Sequence, residues 1–208
     1  MGSGVAAKRI TGPERRRRIL DAAAEAFAAR GYHATSVGQV AEAAGITKPV
    51  VYDHFRSKRE LFVELLENTR DELLARGTEA LGGDAPPVDR IRAAIDAFFA
   101  YVEERPAAAR VLLTPPSGEP ELLEVSQRVQ FVATARMAAL LRSDPGLLPG
   151  ARDRKRRIEL FVAFIQYGAH GLATWWADHP RVPRSALVDA TMDLVWVGLR
   201  NQFSSPAF

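Results

Sequence analysis

Cysteine is absent from the chain, so neither a disulfide framework nor a thiolate metal site can form, a composition suited to a reducing compartment. Histidine is scarce: His33, His54, His170 and His179 are scattered without paired zinc-ligand spacing. No phosphate-cradling glycine loop, nucleophile elbow, cysteine nucleophile or aspartate-rich metal site occurs, which removes the usual footholds of an enzyme. The expectation is a non-enzymatic protein with no cofactor and no metal. Long hydrophobic runs are lacking too, with one exception, "LFVAFIQYGAHGLATWWA" from Leu160 to Ala177. Its length reaches the lower limit of a membrane span, roughly 18 residues. Gln166, His170 and Thr174 would need partners in lipid and two glycines interrupt it, so the run fits a helix inside a bundle or at a subunit interface. The start, "MGSGVAAKRI", has no apolar stretch of signal-peptide length. A soluble, cytoplasmic protein without a membrane partner is expected.

What is present begins with apolar material: 47% of 208 residues is hydrophobic, enough for one domain of ordinary size or two small ones. The formal charge of +3 conceals an asymmetry. Residues 1–59 hold 11 Lys and Arg against 5 Asp and Glu, hence +6; residues 60–208 hold 17 against 20, hence −3. A basic amino-terminal third on a slightly acidic body suits a polyanion, nucleic acid before membrane, the plainer alternative being a solvated charged face.

Periodicity predicts only helices. Glu14 to Arg30 sets Ile19, Leu20, Ala23, Ala24 and Phe27 on one face, and Gly31 supplies a stop. Ser36 and Gln39 form a capping box for a short helix ending at Gly45. The next stretch, "GITKPVVYDHF", is rich in β-formers, but Pro49 would remove a donor from a ladder. With Thr47 as N-cap, Pro49 falls in a first helical turn, where its missing N–H is no loss. As a helix, Val51 and Phe55 share one side and Lys48, Pro49, Tyr52 and Asp53 the other. Ser57 and Glu60 then make a second capping box, opening a long helix on Leu61, Leu65, Leu66, Leu73 and Leu74. Two short helices joined by a glycine turn make a helix-turn-helix, whose second helix faces base edges with its first residues.

The run Arg15 to Phe62, with Gly31-Tyr32, Thr35-Ser36, Val51-Tyr52, His54-Phe55 and Ser57-Lys58 in order, resembles the amino-terminal domain of the tetracycline-repressor (TetR) family of bacterial transcription regulators. The resemblance implies an all-α protein. Its DNA-binding domain (1–59, with a basic arm) has three helices and is joined by a long helix to a ligand-binding and dimerisation domain (60–208). It also implies that Thr35 or Ser36, Tyr52, His54 and Lys58 touch the DNA backbone, in keeping with hydroxyls and helix amino ends as phosphate partners. Ser36 can equally serve as a cap alone. Base reading should fall to Lys48, Pro49, Val50 and Asp53: Lys48 onto guanine O6 or N7, Pro49 and Val50 onto thymine methyls, and Asp53 onto cytosine N4, unless Asp53 pairs with an arginine nearby. Lys8, Arg9 and Arg15 to Arg18 form either a DNA-contacting arm or a solvated leader.

Beyond "GGDAPP", Gly82 to Pro87, breakers divide the chain into helical segments Val88–Glu104, Pro106–Leu113, Glu121–Leu141, Arg152–Ala177 and Ser185–Asn201. The resemblance implies that this body binds a small effector and forms a homodimer through its last two long helices. Effector-pocket candidates are Phe98, Phe99, Tyr101, Phe131, Met137, Phe164, Tyr167 and His170, which point to an apolar or aromatic molecule, though each also suits plain core. Interface candidates are Gly168, Gly171 and Gly198 for close approach, with Trp175, Trp176 and Trp196 for buried area. The function expected is a ligand-responsive repressor on a palindromic operator. Two rivals stand beside it: a nonspecific DNA-coating or scaffold protein, which would ignore a palindrome, and an α-helical enzyme, whose turnover would survive loss of Lys48 and Tyr52.

Overall fold

The structure is a computed structural model that describes residues 11–114, 116, 118–144, 147 and 152–204, and only the backbone from 196 onward. Every regular element among the described residues is helical. Helix α1 (Gly12–Ala34) opens with a capping box absent from the sequence reading: Thr11 Oγ1 accepts the Glu14 N–H at 3.4 Å, and the Glu14 carboxylate accepts the Thr11 N–H at 2.9 Å. These bonds hold the Glu14 carboxyl below its ordinary value. At Gly31, φ 79° and ψ 169° break the helical path, and a last turn follows to Ala34. The expected stop at Gly31 is therefore a kink.

Helix α2 (Val37–Ala43) carries the expected box, with the Gln39 N–H on Ser36 Oγ at 3.3 Å and the Ser36 N–H on the Gln39 side chain at 2.8 Å. It ends in a Schellman motif: Ile46 N–H to Ala41 O and Gly45 N–H to Glu42 O, both 3.0 Å. Gly45 sits at φ +63°, so this turn favours glycine for its backbone conformation, while a Cβ there would meet only the mobile end of Arg18, Nη2 at 2.8 Å. Helix α3 (Lys48–His54) has Thr47 as N-cap, but the Thr47 hydroxyl makes no capping bond, contrary to expectation. Helix α4 (Lys58–Leu81) begins with Ser57 Oγ accepting the Glu60 N–H at 3.0 Å, while the Glu60 carboxylate reaches past Ser57 to the Arg56 N–H at 2.6 Å.

Helices α5 (Pro87–Glu104), α6 (Pro106–Leu113) and α7 (Pro120–Arg142) each start on a proline, whose fixed φ and missing N–H suit a first turn. Helices α8 (Arg154–Ala177) and α9 (Arg184–Ser204) complete the chain. The uncharged run thus lies in α8, and among the described residues no helix is long and apolar enough to cross a membrane.

Two compact units result, Met1–Leu65 and Leu66–Phe208, divided within α4. In the first, Ile19 and Phe27 of α1, Val40 of α2, Val51 of α3, Phe55, and Leu61, Phe62 and Leu65 of α4 are almost fully buried. Phe62 meets Phe27 edge-on at 5.3 Å and Tyr32 at 5.1 Å. In the second, α5 packs on α9 and α7 on α8. Ile91, Ile95 and Phe99, four apart on α5, join Ile158, Val162, Ala169 and Ala173 of α8 and Leu187, Val188 and Met192 of α9 in one core. Arg92 to Asp189 at 2.6 Å and Arg184 to Asp96 and Glu103 at 3.0 and 2.8 Å tie α5 to α9. Two arginines close helix ends. Arg90 donates to the Leu81 carbonyl at 3.1 Å and pairs with Asp144, and Arg154 donates to the Arg142 carbonyl at 2.9 Å.

Candidate DNA-reading surface and effector cavity

On α3 the split between faces is sharp. Val51 and Phe55 are 1% exposed, whereas Lys48, Pro49, Tyr52 and Asp53 face solvent and Val50 is half-buried. Lys48 Nζ lies 5.9 Å from the Tyr52 ring, one turn on. Ser36 is exposed at the amino end of α2, where its Oγ caps the Gln39 N–H. His54 is half-buried beside Phe55.

Two expected phosphate contacts sit differently. Thr35 is buried, and its hydroxyl donates to the carbonyls of Ala26 at 3.0 Å and Gly31 at 2.8 Å. The side chain thereby pins the last turn of α1 across the Gly31 kink, and only its neighbour Ser36 is outward. Lys58 Nζ donates to the carbonyls of Tyr32 at 2.9 Å and Thr35 at 3.0 Å and lies 4.3 Å from the Tyr32 ring centre. Its ammonium closes the α1–α2 connection, because those carbonyls end a helix and need donors.

The arginine run of α1 also divides. Arg17 and Arg18 are exposed. Arg16 turns inward: its guanidinium forms a two-pronged pair with Glu64 on α4, Nε to Oε1 at 2.5 Å, donates to the His54 carbonyl at 2.7 Å, and lies 4.3 Å from the Phe55 ring centre. The hydrogen bond to Glu64, with that carboxylate's charge adding, raises the Arg16 pKa. Arg16 was expected in a basic arm; the structure makes it a tie from α1 to the end of α3. Lys8 and Arg9 lie outside the described residues.

In the second unit, α4, α5, α7 and α8, with Leu112 of α6, line a cavity of about 160 Å³. Of the residues expected there, Phe98, Met137 and His170 line it. Phe99 and Tyr101 are fully buried in packing away from it, and Phe131, Phe164 and Tyr167 are 65–72% exposed on outer helix faces. Their aromatic character suggested burial, but the helical phase decides which side of α5, α7 or α8 a ring occupies. Burial among apolar neighbours pushes His170 down to about 4, so it is neutral near pH 7, stacked on Phe98 at 5.6 Å. Desolvation, with the Glu72 charge adding, pushes Tyr101 up to about 12; its hydroxyl sits near Thr69 and Glu72 but in good hydrogen-bonding geometry with neither.

The cavity's remaining polar side chains, Arg70, Gln130 and Gln166, were missed from the sequence. A signal existed: Arg70, Leu74, Gly77 and Leu81 fall at i, i+4, i+7 and i+11, one stripe of α4.

On α8, Leu160, Phe164, Tyr167 and Trp175 form an exposed apolar stripe, and Gly168 and Gly171 on the same face have open space where a Cβ would stand. Leu194 of α9 is 71% exposed. Trp176 points the other way, 9% exposed, with its Nε1–H on the Val182 carbonyl at 2.8 Å. Trp196 and Gly198 lie on α9 where only backbone is described.

Residues 19–65 match "Bacterial regulatory proteins, tetR family", and residues 87–198 match "Tetracyclin repressor-like, C-terminal domain". The chain is 31% identical over 193 residues to the HTH-type transcriptional activator FasR of Mycolicibacterium smegmatis, covering 92% of this chain and 85% of that one. It is 31% identical over 192 residues to the HTH-type transcriptional repressor KstR2 of Rhodococcus jostii, covering 89% and 91%. The fatty acid degradation regulator FadR of Bacillus halodurans shares the fold, with a TM-score of 0.79 at 21% identity over 91% of this chain and 98% of that one.

Proposed function

Because the chain belongs to the TetR family of bacterial regulatory proteins, we propose that it is a ligand-responsive repressor. It binds a palindromic operator as a homodimer and leaves it when a small effector with an apolar or aromatic body fills the cavity. The observation that carries the DNA-reading part is the outward face of α3, Lys48, Pro49, Tyr52 and Asp53, opposite the buried Val51 and Phe55. Residues 1–59 hold DNA and residues 60–208 hold effector and partner. Lys48, Pro49, Val50 and Asp53 read bases, while Ser36, Tyr52 and His54 position the backbone. The exposed stripe Leu160, Phe164, Tyr167, Trp175 with Gly168 and Gly171 supports the homodimer, and a two-fold protein expects a palindrome with half-sites about 34–36 Å apart or a multiple of that. An effector favouring the wrong separation releases DNA by no more than its preference between the two states. The work of such a protein places it in the cytoplasm.

Selection of bound sequences from random duplexes, followed by a reporter carrying the recovered site, tests the reading. A palindrome, and higher reporter output on deleting the protein, are expected. Recovery of no palindrome would remove the dimeric operator reading. Lower output on deletion would favour activation, which the likeness to FasR supports as a second reading.

A further inference from the structure

We propose that the cavity takes a compact amphipathic acid, its apolar body against Phe98, Phe161 and Met137 and its anionic oxygens on the Arg70 guanidinium. The inference rests on the effector reading of this cavity. Arg70 is 14% exposed at its side chain and lines a space whose other side chains are mostly apolar and all uncharged near neutral pH, an unfavourable place for a guanidinium with unused donors. Only Nε is engaged, with Asp71 at 2.9 Å. Among the described residues Nη1 and Nη2 have no hydrogen-bond partner.

Asp71 is itself 55% exposed, adjacent to Arg70 on the same helix, and shared with Arg136 at 3.7 Å. Two guanidiniums thus meet one carboxylate, and a positive charge remains over. No acidic side chain lines the cavity, which disfavours a cationic ligand. The other polar groups cannot take over the anion. Gln166 Nε2 is turned to the Gln130 carbonyl at 3.5 Å, and Gln130 Nε2 to the Leu112 carbonyl at 3.4 Å, and neither amide carries charge. His170 is neutral and can add a hydrogen bond but no charge. A planar fork with two free NH2 groups matches a carboxylate or phosphate edge.

Size narrows the body. At about 160 Å³ the space is close to the roughly 150 Å³ apolar cavity that admits benzene, so an aromatic or medium-chain acid fits and a long chain does not. Binding of hexanoate, octanoate, benzoate and palmitate to the full chain near neutral pH, each beside its alcohol, is the test, with octanoyl-CoA as a further arm. Octanoate should bind about tenfold tighter than octanol and tighter than palmitate. Arg70→Gln should erase the acid preference, and Arg70→Lys should restore part of it, with unliganded melting curves reporting the fold of each variant. Equal binding of acid and alcohol, a preference that survives Arg70→Gln, tighter binding of palmitate, or binding of the thioester alone would overturn the proposal. Acid binding without operator release would leave this site standing and remove the regulatory reading. Operator release by octanol and octanoate alike would do the reverse.

Discussion

Replacing Arg16 by Gln takes away three contacts at once: the two-pronged pair with Glu64, the bond to the His54 carbonyl, and the cation over Phe55. The pair is 36% and 29% exposed, so solvent screens it and the coupling between the charges is worth about 1 kcal/mol. The His54 carbonyl bond to a charged donor and the ring contact add about 1 kcal/mol together after the same discount. Arg16→Gln should therefore lose about 2 kcal/mol, or roughly 4–8 °C in Tm for a chain of this length. Glu64→Gln should lose about half of that, and the double variant little more than Arg16→Gln alone, because both remove the same pair. Urea denaturation of the four proteins measures the cycle. DNA binding separates this role from phosphate contact. If Arg16 positions the end of α3, both single variants weaken operator binding, and the salt slope stays where it was. If Arg16 instead holds a phosphate, its loss lowers the slope by about 0.9 and Glu64→Gln strengthens binding by removing a negative charge. Opposite signs for the two variants, or purely additive stabilities, would refute the tie.

Gly45→Ala should destabilise by about 1–2 kcal/mol, from the left-handed φ alone and before any Arg18 displacement. Gly38→Ala, on α2 with nothing closer than 3.7 Å, should stabilise by up to about 1 kcal/mol, and urea midpoints in the same order for both would count against the turn argument. Thr35→Val leaves the Ala26 and Gly31 carbonyls without their donor and should lose about 1–2 kcal/mol with an unchanged salt slope, whereas a slope falling by about 0.9 would mark Thr35 as a phosphate contact. Gly77→Ala sets a methyl 2.8 Å from Met137 Cε; that flexible end swings aside into the cavity, so calorimetry should show weaker ligand binding with no loss of thermal stability. His170 is depressed from 6.5 to about 4, so the unfolded chain takes up its proton first and the stability from the neutral ring is lost as pH falls from 6.5 toward 4; an NMR midpoint near 6.5 would contradict that burial.

Much of the architecture was legible from local chemistry. The boundaries of α5 to α9 follow prolines and turn runs, and α3 could be recognised inside a β-forming stretch because Pro49 suits a first turn and Val51 and Phe55 lie four apart. Caps were legible where the bond is local, as at Ser36 and Gln39. Elsewhere they were legible only in part: Ser57 Oγ accepts the Glu60 N–H, but the Glu60 carboxylate takes the Arg56 N–H in place of that of Ser57, and the Thr47 hydroxyl makes no capping bond.

By itself, then, the sequence determined the helices, the helix-turn-helix and which face of α3 is polar, since these depend on periodicities and short-range hydrogen bonds along one chain. The tertiary structure alone decided which polar groups are already engaged. Thr35, Lys58 and Arg16 read as DNA contacts from the sequence, and the structure adds partners within the chain, on carbonyls and on a carboxylate 48 residues away. It also moved Phe164 and Tyr167 from pocket to outer surface and brought Arg70 to the cavity. A side chain's partners depend on how helices rotate against one another, and no spacing along a single helix encodes that rotation.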